Sequence, residues 1–87
     1  MLHTRSIIKE IWDAQGYGNL AVWADETTSV IAPGESPVKD GKAPLAIFKP
    51  IPLVAGFPML DFATHDPGLL ERIETTIREA GGEIERG

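Results

Sequence analysis

The chain has no cysteine, only two histidines and one tyrosine, and eight basic residues against thirteen acidic ones among its 87. The missing cysteine excludes a disulfide framework and every thiolate metal site. Small secreted domains usually depend on such staples, and no apolar h-region follows Met1 (Met-Leu-His-Thr-Arg-Ser-Ile-Ile-Lys-Glu). Both features favour a reducing cytoplasm. The shortage of base gives a net charge of −5 and a pI near 4.8. Phosphate-backbone binding rests on clustered Lys and Arg, and here the basic residues are scattered, so nucleic acid is not an expected partner. No GxxxxGK[ST] loop or complete GxGxxG fingerprint is present, and no cofactor is expected. The apolar fraction of 43% and charged fraction of 24% are those of a globular domain. At this length one domain is expected, burying roughly 60–65% of its unfolded surface.

What the sequence does have is one unusually apolar segment, Ala43 to Ala63, interrupted by Pro44, Pro50, Pro52 and Pro58. Proline removes a backbone donor and fixes its own φ, so the run as a whole cannot be a continuous helix or a central strand. Lys49 and the four prolines also exclude a membrane span, because lipid offers freed backbone groups no partner. A short strand over 45–48 is expected, with 51–54 extending it past a kink, a turn or bulge over 55–58 and a further strand over 59–63. At least one of these must be a sheet edge.

Around this segment the pattern is more regular. Thr4 as N-cap, Gly16 as terminator and the stripe Ile7, Ile8, Ile11, Trp12 favour a helix over 4–15. A strand is the competing reading, since three isoleucines and a tryptophan also suit a pleat. Gln15-Gly-Tyr-Gly-Asn19 is a turn. Leu20–Ala24 alternates, with Leu20, Val22 and Ala24 on one face and Trp23 on the other, and 27–31 is its hairpin partner. Residues 32–44 carry three prolines and two glycines and form the longest loop. Asp66 as N-cap, Pro67 at the first helical position and the stripe Leu69, Leu70, Ile73, Ile77, Ala80 predict a helix over 66–80. Its Glu71, Glu74, Arg78 and Glu79 are assigned to water, with Glu74 and Arg78 spaced for an ion pair. Residues 83–86 form a short terminal strand or fray. The expected fold is α+β: a small two-layer domain with a mostly antiparallel sheet of about four strands and the N- and C-terminal helices on one face.

Three functional readings follow. The leading one is a non-catalytic interaction domain, because a small domain has limited capacity to bury the 43–63 run together with two tryptophans and two helix stripes. A homodimer would cover the remainder, with Trp23, Ile51, Leu53, Phe57 and Met59 as interface candidates and the 32–44 loop as an adjustable rim. The second is a small enzyme or ligand-binding domain on Asp61, His65 and Asp66, where two carboxylates flank an imidazole as a general base requires. Tyr17, in its glycine turn, is a weak ligand-binding candidate. The simpler role for this cluster is structural, with Asp66 as helix cap. The third is an acidic inhibitor or antitoxin-like partner of a basic protein, suggested by the acidic C-terminal helix and tail.

Overall fold

A computed structural model describes all 87 residues. The fold is α+β, with a three-stranded antiparallel sheet, a two-stranded parallel pair and four helices. Strand β1 (Leu2–His3) pairs in parallel with β5 (Ile84–Glu85), joining the two ends of the chain. Helix α1 (Thr4–Asp13) follows directly, so the helical reading of this segment holds. Its N-cap is His3 rather than Thr4. Thr4 is instead the first helical residue, fully buried, with its hydroxyl turned inward.

Strands β2 (Asn19–Val22) and β3 (Thr28–Ile31) form the expected hairpin. Their corner is closed by Trp23 N–H donating to the Thr27 carbonyl at 2.8 Å and by Asp25, which accepts from Thr27. Strand β4 (Ala46–Phe48) adds to the other side of β2, giving the order β3-β2-β4 with β4 at an edge. The sheet thus has three strands rather than four, and the alternation across β2 does not separate an inner from an outer face. Leu20, Ala21, Val22 and Trp23 are all buried, while Ala24 is exposed.

The proline-rich run departs most from expectation. Residues 51–54 do not extend β4 but form helix α2 (Pro50–Val54), and 59–63 is not a strand but the start of helix α3 (Leu60–His65). Pro50 and Pro52 both fall in the first turn of α2, where backbone N–H groups have no intrahelical acceptor, so neither ring breaks a bond. In α3 the Phe62 and Ala63 N–H groups fold back onto the Met59 carbonyl. That turn points Ala63 inward, fully buried. Asp66 is at once the last cap of α3 and the first of α4 (Pro67–Glu79). Its Oδ2 accepts from Leu69 N–H at 2.8 Å, as an N-cap carboxylate should.

One core joins these elements. Ile7, Ile8 and Ile11 of α1 meet Leu20 and Val22 of β2, Phe48 of β4, Val54 of α2 and Ile73 and Ile77 of α4. Trp12, Leu53 and Phe57 pack against its margin. On α4, Ala80 is exposed and Glu74 is buried, the reverse of the pattern expected for both. Glu74 is only 5% exposed, and its partners come from other parts of the chain. The Thr4 hydroxyl lies 2.9 Å from its Oε2, and Arg86 clasps it bidentately, Nε to Oε2 at 2.9 Å and Nη2 to Oε1 at 2.8 Å. Arg78, the expected partner, is 4.0 Å away. The Arg86 hydrogen bonds hold the Glu74 carboxyl well below its usual range, at about 2, against the opposing effect of burial.

Candidate functional site

Asp61, His65 and Asp66 all lie around the end of α3, yet the structure does not bring their side chains together. The exposed His65 ring uses Nδ1 to meet the Asp61 backbone carbonyl at 2.8 Å, a contact that places a proton on Nδ1 and leaves Nε2 toward water. Thr64 Oγ1 donates to the same carbonyl at 3.2 Å. The Asp66 carboxylate is committed to the α4 cap, and the Asp61 carboxylate makes no hydrogen bond or ion pair. Neither carboxylate orients the imidazole, and none of the surface clefts is lined by any of the three residues. No group of three or more His, Asp or Glu side chains is placed to hold a metal ion. Every buried side-chain nitrogen and oxygen has a partner within the protein. The interior polar groups are therefore satisfied without a ligand.

Tyr17 is 72% exposed at the tip of its turn. The glycines beside it serve the backbone. Gly18 sits at φ +152°, and a Cβ there would overlap the Ile31 carbonyl, so the turn can approach β3 only without a side chain. Gly18→Ala is expected to destabilise the fold by about 2 kcal/mol or more, combining a backbone that L residues rarely adopt with a contact to main chain that cannot rotate away. A urea titration followed by tryptophan fluorescence reads this directly.

Trp23 is 5% exposed and unavailable as a surface residue. Its Nε1 donates to Ser29 Oγ at 2.8 Å, and Lys39 lies over the ring at 5.7 Å from the centroid. Lys39 also reaches Thr27 Oγ1 at 3.1 Å and Asp25 at 3.4 Å. Lys39 of the 32–44 loop thus lies over Trp23 within the same molecule. Leu53 and Phe57 are half-buried against the core.

Ile51 and Met59 remain outside, 71% and 57% exposed, and Phe62 joins them at 57%. Phe62 is not among the interface candidates drawn from the sequence. Its outward position follows from a helical turn in which Ala63 faces in. Helices α2 and α3 each pack on α1.

Two grooves border α2. One, of about 350 Å³, is lined by the glycine turn, Pro33, Lys49 and the Pro50-Ile51-Pro52 stretch. The other, of about 230 Å³, lies between β4, α2 and α4 and is lined by Ile47, Phe48, Lys49, Pro52, Leu53, Arg72 and Thr76. Neither Lys49 nor Arg72 forms an ion pair, whereas Lys9, Lys39, Arg78 and Arg86 each meet a carboxylate.

No protein-family model matches this chain, and comparison with curated proteins and with solved structures finds no match. No helix is long and apolar enough to cross a membrane.

Proposed function

We propose that this chain is a small non-catalytic protein-interaction domain of the reducing cytoplasm, which self-associates through the outer surface of α2 and α3. The observation that carries this reading is the exposure of Ile51, Met59 and Phe62 on a molecule whose core is otherwise complete. Scattered apolar residues on a surface are ordinary; three large ones on two short consecutive helices and the turn that joins them suggest a covered face. A standard interface takes about 800 Å² from each partner, a modest share of the 5162 Å² that one chain exposes. A twofold arrangement would set each patch against its own copy and cover both at once. The separation of His65 from both carboxylates supports the non-catalytic part of the reading.

Glu substitutions test the surface. Ile51→Glu and Phe62→Glu are expected to leave the fold intact, because exposed positions tolerate change within about 0.5 kcal/mol. Each is expected to raise the dimer dissociation constant at least about tenfold by placing a charge in a desolvated patch. Sedimentation velocity over a concentration series reads the shift, and variants that sediment like the parent protein would remove α2 and α3 as the seam.

A further inference from the structure

We propose that the groove between β4, α2 and α4 binds an acidic, apolar segment of a partner protein, laid in extended form along the edge of β4. This goes beyond self-association and rests on other side chains, although α2 borders both surfaces. The first observation is topological. β4 is hydrogen-bonded to β2 on one side only, and its other flank carries no strand. An open edge is a template for an added strand, with main-chain hydrogen bonds supplying affinity and flanking pockets supplying specificity.

The second observation is charge. In a chain with thirteen acidic residues, the linings of the two grooves beside α2 contain no carboxylate. Each of the other three clefts contains at least two: Asp25 and Asp40, Glu10 and Asp13, or Glu26 and Glu83. The groove along β4 instead presents Lys49 and Arg72, both without an acidic partner, beside Ile47, Pro52 and Leu53. Two free cations beside an apolar floor complement a segment that carries both acidic and aliphatic side chains.

Other occupants fit less well. A nucleic acid would meet only two cations on a molecule of net charge −5. A second copy docked about a twofold axis through this groove would face Lys49 and Arg72 with their own images. A small anion would leave the apolar floor and the strand edge unused.

The test is fluorescence anisotropy with a fluorescein-labelled heptapeptide of alternating Glu and Val, alongside its Lys–Val counterpart. The acidic peptide is expected to bind, the basic one not, and binding should weaken several-fold as salt rises from about 50 to about 500 mM. The Lys49→Glu/Arg72→Glu double variant should bind the acidic peptide at least about tenfold more weakly. Its fold is checked by circular dichroism, and Lys49→Gln/Arg72→Gln repeats the test without charge reversal. Amide shifts on titrating the unaltered protein should centre on residues 46–49. Absence of binding, equal binding of both peptides, double variants that bind normally, or shifts centred elsewhere would each overturn the proposal. So would double variants that lose dimerisation in place of peptide binding, which would make the groove a seam between copies. A protein that sediments as a monomer yet binds the acidic peptide would sink self-association and leave this proposal standing.

Discussion

Arg86→Ala is expected to lower the unfolding free energy at pH 7 by a readily measured share of the roughly 4–13 kcal/mol available to a domain of this size. The residue is half-exposed near the end of the chain, where truncation is usually harmless. Its importance comes from Glu74, a carboxylate 5% exposed. With Arg86 removed, Glu74 keeps only the shared Thr4 hydroxyl and Arg78 at 4.0 Å. Water then enters or the carboxyl takes a proton, and either outcome costs stability. The parallel β1–β5 pair should loosen with it, because Arg86 directly follows β5 and Thr4 directly follows β1. Denaturant unfolding measures the loss, and faster amide exchange at Ile84 and Glu85 locates it.

The same carboxyl gives a pH signature. Its folded-state value of about 2 lies below the ordinary 4.5. A depressed value stabilises the fold fully above about pH 4.5, and the contribution disappears as pH falls from there toward 2. The difference corresponds to about 3 kcal/mol. Glu74→Gln is therefore expected to be less stable than the parent at pH 7, with the gap closing between about pH 4.5 and 2. Parallel stability curves over that window would contradict the assignment.

Ile73→Ala is expected to cost about 3–4 kcal/mol. Ile73 is fully buried at the middle of α4 and belongs to the cluster that joins α1, β2 and β4. Removing three carbons there takes away both burial and contact, and the surrounding helices and sheet cannot all close on the gap. A melting temperature lower by about 10 °C or more is the expected reading for so small a domain. An exposed position on the same helix, Glu79→Ala, serves as the comparison and should change little.

These two positions also mark what the sequence disclosed. Ile73 was legible, because the α4 stripe, the Asp66 cap and Pro67 are local signals that agree with one another. The β2–β3 hairpin was legible for the same reason. Glu74 was not, since its burial depends on Thr4, 70 residues away, and on Arg86, which no helical periodicity can reveal. Trp23 was half-legible. A tryptophan on the outer face of a strand requires a cover, and the cover is Lys39 from the loop rather than another molecule.

Pro50 and Pro52 misled because proline breaks helices from within but begins them well. Two prolines two residues apart fit a first turn, and that possibility requires the chain to start a helix immediately after β4. Of the interface candidates, Ile51 and Met59 lie on the surface, while Trp23, Leu53 and Phe57 are drawn wholly or partly into the fold. The cluster at Asp61, His65 and Asp66 is close in sequence but divided in space, because one carboxylate caps a helix and the ring bonds to main chain.

Sedimentation equilibrium of the unaltered protein, from about 1 to about 100 µM, tests most directly whether Ile51, Met59 and Phe62 are a shared face. The account predicts a mass that climbs with concentration toward twice the 9.4 kDa of one chain. A mass that stays at 9.4 kDa across the whole range would contradict it.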